Sequence, residues 1–327
     1  MNHVRRLACV VLLVLVHIQR TAAAAAASPI RIVQYNVEWL FTTYYAASDC
    51  PGNGCTWKNQ SMAETHIQTV AANIQKIDPT IVNFCEVEGV AELDQVASTS
   101  SGLTPYFIKG KDTSTGQNVG LLSKIVPQKT PYRTEERATY PIPGSKCGYT
   151  GTQDTTGVSK HSISEFVFAF PTEKLTVAFI AAHLLAFPTD AYRCAEREAQ
   201  ATVLRTVIQG YLDKEYEVLF LGDLNDYDAE IPDMNSHIPT SQVLDILKVD
   251  GKLTNVAEAI PQSERYTEWW DENGNCRADP AEYSMIDHIL VTPRLRSHLH
   301  KAYIYHGYVE ECNTYQSDHF PVVVEFV

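Results

Sequence analysis

Apolar residues in this chain fall into short runs that stop abruptly at a polar or ionisable residue. Ile32-Val33-Gln34-Tyr35 stops at Asn36, Ile81-Val82-Asn83-Phe84-Cys85 at Glu86, Val177 through Ala182 at His183, and Val218 through Leu221 at Gly222-Asp223. Runs of this length, rich in Val, Ile and Phe, predict β-strands. Hairpin-like pieces follow the same pattern at Val119–Val126, Ser162–Phe170 with Leu175–Ala182, Met285–Val291, Tyr303–Tyr308 and Pro321–Phe326. Elsewhere the period changes to that of a helix. Ile67, Val70, Ala71, Ile74 and Ile77 share one helical face; Ser61-Met62-Ala63-Glu64 predicts a capping box ahead of them, and Asp78-Pro79 a stop. A second helix is expected from about Ala191 to Leu212, with Val203, Leu204, Val207, Ile208 and Tyr211 inward, and a third, shorter one around Ser241–Leu247. The first two helices lead into the strands ending at Glu86 and Asp223. Helix-then-strand units mixed with hairpins predict an α/β domain with mixed or antiparallel sheets. There is no internal repeat and no long linker.

The first 27 residues read as a targeting device. Arg5 and Arg6 form a basic start, Leu7 to Ile18 an apolar stretch, and Ala22 to Ala27 a small-residue region suited to cleavage. That stretch falls short of the ~20 residues a spanning helix needs. The expectation is a signal peptide at 1–27 and a soluble, secreted, monomeric product of residues 28–327, with no stable membrane anchor. Cleavage removes three arginines and no acid, taking the formal charge from −13 to −16. An acidic balance argues against a broad basic nucleic-acid surface. It leaves room for a nuclease, because a bound cation and a local basic rim can meet phosphate.

Of eight cysteines, Cys9 leaves with the signal and seven remain, so at least one is unpaired if all bridges are intramolecular. Cys85 lies inside an apolar run and is expected to be the free thiol. The pairs Cys50–Cys55, Cys147–Cys194 and Cys276–Cys312 are expected, although spacing alone does not fix connectivity. Asn59-Gln60-Ser61 is a glycosylation sequon in a secreted context.

Chemistry concentrates where the apolar runs end. A carboxylate such as Glu86, directly behind a strand, needs a partner, and a hard divalent cation with oxygen ligands supplies one. In Gly222-Asp223-Leu224-Asn225, two side chains two residues apart on an extended segment point the same way. The Gly is expected to let the backbone crowd toward a ligand. His183 and His319 each follow an apolar run or adjoin one. These segments, with Ser317-Asp318-His319-Phe320-Pro321 and in this order, resemble the endonuclease/exonuclease/phosphatase superfamily, metal-dependent phosphodiesterases that include pancreatic-type deoxyribonucleases.

The resemblance implies a four-layer α/β/β/α sandwich, two packed mixed β-sheets with helices outside, using residues 28–327 as one catalytic domain. It implies Asn36, Glu86 and Asp318 as ligands of Mg2+ or Mn2+, and His183, Asp223, Asn225, Asp287 and His319 as catalytic residues. Asp287, in Met285-Ile286-Asp287-His288, would orient His319, a pairing that fixes the tautomer and suits general-base work. His183 would stabilise charge on the phosphorus centre or help the leaving oxygen, and Asn225 would hold a phosphate oxygen. Whether Asp223 or His319 takes the water proton stays open. Asn118 matches a position lining the cleft, and Lys160 a basic phosphate-contacting residue. Cys85-Glu86-Val87 departs from the family's usual Gln-Glu-Val. Asp271-Glu272-Asn273-Gly274-Asn275 lacks a complete calcium ligand set and reads as a turn, and Trp269-Trp270 as a lip to the site or as plain packing.

Among branches, inositol polyphosphate phosphatases and abasic-site repair enzymes fit poorly, the first by motif and the second by compartment. Secreted deoxyribonucleases and extracellular nucleases fit best, with DNA or RNA as substrate. A secreted sphingomyelinase-like phosphoesterase is the alternative, and a non-catalytic binding protein on the same scaffold a second. None of the eight metal-side and catalytic residues is missing, which favours catalysis.

Overall fold

The computed structural model describes residues 28–43, 50–51, 55–112, 114–308, 312 and 314–327. Residues 1–27, where the signal peptide is expected, and residues 52–54 between Cys50-Pro51 and Cys55 lie outside the described residues. In chain order the strands are β1 (Ile30–Leu40), β2 (Ile81–Val87), β3 (Thr104–Phe107), β4 (Asn118–Ser123), β5 (Lys129–Tyr132), β6 (Arg137–Tyr140), β7 (Asp154–Gly157), β8 (Lys160–Ala169), β9 (Lys174–His183), β10 (Glu217–Asp223), β11 (Thr254–Asn255), β12 (Glu268–Trp269), β13 (Tyr283–Ser284), β14 (Asp287–Val291), β15 (Leu299–Ile304) and β16 (Val322–Phe326). The α-helices are α1 (Gln60–Ile77), α2 (Val90–Ala97), α3 (Ala191–Leu212), α4 (Val243–Leu247) and α5 (Pro293–Ser297).

Two six-stranded sheets form the centre, in the orders β15-β16-β1-β2-β4-β3 and β11-β14-β10-β9-β8-β5. Each holds one parallel pair, β1 with β2 and β9 with β10, inside otherwise antiparallel pairing. A parallel pair needs a crossover, and the helices seen early in the sequence supply it: α1 between β1 and β2, α3 between β9 and β10. Period-2 alternation then divides the strands. Ile30 and Ile32 of β1 and Ile81 of β2 pack between the sheets against Phe179, Ala181, Leu219, Leu221, Ile289 and Phe166. Their alternates Val33, Tyr35, Val82 and Phe84 pack outward on Ile67, Val70, Ile74 and Leu93 of α1 and α2. On the other sheet Ala178, Ile180, Val218 and Phe220 meet Leu204, Ile208, Leu244 and Leu247 of α3 and α4. Burying each such side chain contributes ~1.5–3 kcal/mol, so all three apolar interfaces hold the layers together.

Local details differ from expectation at the start of α1. The helix begins at Gln60 with Asn59 as its cap, whose side-chain oxygen accepts the Met62 N–H at 3.0 Å. Ser61 therefore sits inside the first turn and the expected capping box does not form. At the other end Asp78 adopts a left-handed conformation, φ 51°, just before Pro79. Helix α2 was not expected: Gly89 offers no side-chain cap, and Leu93 and Val96 are too few to show a period. The described cysteines pair as Cys50–Cys55, Cys147–Cys194 and Cys276–Cys312, and Cys85 is a buried free thiol. No helix among the described residues is long and apolar enough to cross a membrane.

Candidate active site

The inter-sheet face changes character along its length. Continuing the alternation past the apolar residues brings Gln34 and Asn36 on β1, Asn83 and Cys85 on β2, His183 on β9 and Asp223 on β10 to one end. Antiparallel β14 begins at that end, with Asp287 in register opposite Asp223, itself opposite His183. Parallel pairing within each sheet thus collects the polar strand ends at one rim.

Beneath the rim lies a buried polar layer that couples the sheets. Gln34 Nε2 donates to Asp287 Oδ1 at 3.1 Å, and Gln34 Oε1 accepts from Asn83 Nδ2 at 2.7 Å. The other Asp287 oxygen holds His319 Nδ1 at 2.7 Å. Thr267 Oγ1 accepts the Asp287 N–H at 3.1 Å, and Ser317 Oγ, donating to Asn36 O, accepts the His319 N–H. Cys85 takes part as a sulfur 3.4 Å from Gln34 Nε2; burial pushes its thiol well above the usual range.

Asp223 is the centre of the cluster. Its Oδ2 lies 2.8 Å from Asn36 Nδ2, 3.5 Å from His183 Nε2 and 4.0 Å from His319 Nε2. Burial, with Asp287 nearby, pushes its carboxyl up to about 8. Burial alone would deprotonate His319, but Asp287, Asp318 and Asp223 outweigh it and raise the imidazole well above its ordinary value. His183 goes the other way: burial, helped by the charge of Lys160, lowers it well below, and its buried Nδ1 has no partner. Asn225, at φ 50°, donates its backbone N–H to Asp223 Oδ1 at 3.0 Å and its Nδ2 to Leu184 O at 3.3 Å.

Glu86 stands at the outer end of β2 in a left-handed conformation, φ 67°, uncommon without glycine. Its Oε2 accepts the Trp39 N–H at 3.1 Å and its Oε1 lies 3.3 Å from Asn36 Nδ2. Asp318 accepts no basic partner closer than His319 Nε2, at 3.9 Å from its Oδ1, and Glu38 takes the Asp318 N–H. A third of the Asp318 side chain is open; partial burial, Glu86 and Glu268 still raise its carboxyl above the ordinary value.

A cleft of about 550 Å³ opens over these groups. Its walls include Glu86, His183, Asp223, Asn225, Asp318 and His319, with Phe187, Ile238 and Trp270 around them. Among the described residues six of the wall are acidic and none is lysine or arginine. Carboxylates gathered without a cation fit a hard divalent metal, for which Glu86, Asp318 and Glu268 present oxygen donors. Asp223, Asp287 and His319 also bring ligand atoms within 4.8 Å of one another. Asp287 is fully buried with both oxygens already bonded, so a cation would be held by the carboxylates on the open side of the cluster.

Three expected site residues are placed differently. Asn36 turns its amide nitrogen to Glu86 and Asp223, while its oxygen accepts the Glu38 N–H at 3.1 Å. It braces two carboxylates instead of presenting the oxygen expected for a metal. Asn118 does not line the cleft: Nδ2 donates to the Val87, Glu88 and Gly116 carbonyls and Oδ1 accepts the Gly110 N–H. Held on both amide atoms by backbone and buried, it fastens a loop. Lys160 is the register partner of His183 but is mostly buried, with Nζ 3.3 Å from Gln117 Oε1 and 4.0 Å from Asp112. It is not among the residues lining the cleft and reaches the site by its field on His183.

Glu268 was missed. It lines the cleft, accepts from Ser284 Oγ at 2.5 Å, and pairs by an isolated antiparallel bridge with His319. Nothing in the sequence separates it from the other acids nearby; a bridge across 51 positions places it. Trp269 is buried with its indole on Glu282, whereas Trp270 is 60% exposed and forms part of the lip. The Asp271 carboxylate accepts the Asn275 and Cys276 N–H groups, the tight turn expected there.

No curated protein matches this chain in sequence. Solved structures do resemble it in fold. TDP2 from C. elegans is 16% identical with a TM-score of 0.54, covering 91% of this chain and 75% of that one. D. rerio TDP2 complexed with single strand DNA product is 16% identical with a TM-score of 0.54, covering 92% and 99%. The model of the endonuclease/exonuclease/phosphatase family matches residues 33–319, from the first strand to the histidine held by Asp287, and the chain belongs to that family.

Proposed function

We propose that this chain is a secreted phosphodiesterase that depends on Mg2+ or Mn2+ and hydrolyses nucleic acid by attack of water on phosphorus. One observation carries the reading: Asp223 Oδ2 faces two imidazoles, His183 at 3.5 Å and His319 at 4.0 Å, on the floor of a cleft walled by carboxylates. His319 keeps Nδ1–H on Asp287, which turns Nε2 toward the cleft as the atom that exchanges a proton there. Asp223 lies beside that nitrogen, and the two handle the water proton as one unit. His183 Nε2, on the same carboxylate oxygen, is placed to donate toward a phosphate oxygen as charge develops there. Asn225 has a second amide hydrogen for the same purpose. A divalent cation on Glu86, Asp318 and Glu268 would supply charge neutralisation and polarise the phosphate.

Supporting the compartment are three disulfides, which persist in oxidising surroundings, and the signal-like residues 1–27. Asn59 is exposed and caps α1 through oxygen, which leaves its nitrogen for a glycan. Supporting the substrate is the D. rerio relative in fold, whose structure holds single strand DNA product. The second reading, a sphingomyelinase-like enzyme, draws on the exposed apolar residues Phe187, Ile238 and Trp270 at the cleft. The deciding experiment incubates the mature protein with plasmid DNA, RNA and sphingomyelin vesicles, each with magnesium, with manganese and with excess chelator. Nucleic-acid hydrolysis that stops with chelator and returns with metal is expected. Turnover of sphingomyelin alone, or turnover unaffected by chelator, would overturn the proposal.

A further inference from the structure

Arg197, on α3, is a fully buried arginine whose guanidinium is spent on one short segment of backbone and one buried carboxylate. Nη1 donates to the carbonyls of Leu185 and Phe187 at 3.1 Å and Nη2 to that of Pro188 at 3.0 Å. Nε donates to Asp226 Oδ2 at 3.1 Å, and Ser241 Oγ holds the same oxygen at 2.6 Å. The segment so fixed follows directly from His183, and Asp226 follows directly from Asn225. One buried cation thus ties together the two loops that leave the catalytic strands.

What the clamp displays is Phe187. This residue is 55% exposed, lines the cleft and has a left-handed backbone, φ 67°. An apolar ring left to itself would fold away from water, and left-handed backbone is unfavourable for a bulky residue. Here a set of charge-assisted bonds to its own and neighbouring carbonyls holds it out. The Arg193 guanidinium lies 4.8 Å over the ring centroid, which backs one face with positive charge.

Resting on the nuclease reading above, we propose that Phe187 is a specificity-determining stacking platform for a nucleobase beside the scissile phosphate, that Arg197 is its positioning residue, and that the preferred substrate is single-stranded. Among the described residues the cleft wall has no lysine or arginine to hold a polyanionic duplex, and the chain is strongly acidic. Bases in a duplex have their faces covered; those of a single strand do not. Stacking on an aromatic ring binds such bases with little positive charge, here the single guanidinium behind Phe187. The rim residues Phe187, Ile238 and Trp270 come from three separate segments around a cleft, unlike one apolar loop built to enter a bilayer.

The test compares kcat/KM, with magnesium, on a single-stranded oligonucleotide, its duplex, an abasic strand of equal length and sphingomyelin vesicles. The wild type should favour the base-bearing single strand over both other nucleic acids. Phe187→Leu, which keeps an apolar side chain but no flat face, should lower the base-bearing to abasic ratio by about tenfold, the order of one lost stack. Phe187→Tyr should restore it, and Arg197→Lys should lower it in the same direction. An unchanged ratio in folded Phe187→Leu, or equal losses in the Leu and Tyr variants, overturns the inference while the nuclease reading stands. Hydrolysis of the vesicles and of no nucleic acid overturns both.

Discussion

Gln34 on β1 and Asp287 on β14 join the two sheets directly beneath His319, Nε2 to Oδ1 at 3.1 Å. The residue that orients His319 is therefore itself oriented from the opposite sheet. In Asp287→Asn the new amide can point its NH2 at His319 Nδ1, which reverses the tautomer and puts a hydrogen on Nε2. We expect kcat to fall by about 100-fold or more with little change in melting temperature, since the volume is kept. Gln34→Leu should lower kcat in the same direction by less. Steady-state rates on a metal-loaded phosphodiesterase assay check this, and near-normal kcat in Asp287→Asn would deny His319 a base-like role.

The strand ends, α3 and the order of motifs were legible because each depends on a local pattern: an apolar run, its stop, or a helical face. Bonds between distant residues were not. Asn118 looks like any polar residue at a strand start until the Gly110, Val87 and Glu88 backbones close around it. The direction of the Asn36 amide is set by Asp223, 187 positions away. Arg197 reads in sequence as one charge on an amphipathic helix, and only the fold reveals that its donors face inward onto carbonyls. Ser61 satisfied the capping pattern, yet Asn59 two residues earlier wins because its side chain reaches the Met62 N–H.

The two site histidines should part company in stability. His183 has a buried Nδ1 without a partner, so truncating it breaks no bond at that atom. Truncating His319 strands Asp287, fully buried and robbed of its charged partner. We expect His319→Ala to destabilise the fold by about 3 kcal/mol and His183→Ala by distinctly less, each with a large loss of rate. Urea unfolding of the two variants compares them. Equal losses would mean the His319–Asp287 pair adds nothing to stability.

Acid should weaken the protein through His161. Its Nδ1 donates to Val158 O at 2.8 Å and its Nε2 accepts the Thr134 N–H at 2.9 Å, a pattern that only the neutral ring can make. Burial, with Arg133 nearby, lowers its pKa to about 4. Above the ordinary histidine value neither state binds the proton and this contribution is complete. Between about 6.5 and about 4 the unfolded chain binds it and the folded one does not, so stability falls as pH falls. The full loss is about 3 kcal/mol. His161→Gln should be less stable at pH 7 and show a shallower decline over that window. An equally steep decline in the variant would assign the acid sensitivity elsewhere.

Gly222 supplies the last prediction, because its neighbour differs from the one its sequence setting suggests. In Gly222-Asp223-Leu224-Asn225 the missing side chain was expected to make room for a ligand. The structure puts strand β9 there: a Cβ on Gly222 would lie 1.9 Å from the Ala182 carbonyl oxygen and 2.9 Å from its carbon. Those are backbone atoms of the register partner of Gly222 in a parallel pair, between Phe179 and His183, so they cannot step aside without moving His183. Gly222→Ala should therefore separate β9 from β10 at their functional end. We expect a loss of at least about 3 kcal/mol in stability, large for one added methyl group, together with a fall in kcat as Asp223 and His183 lose register. Thermal melts with and without metal, alongside turnover, measure both. A variant that melts like the wild type would show that the two strands tolerate more separation than this packing allows.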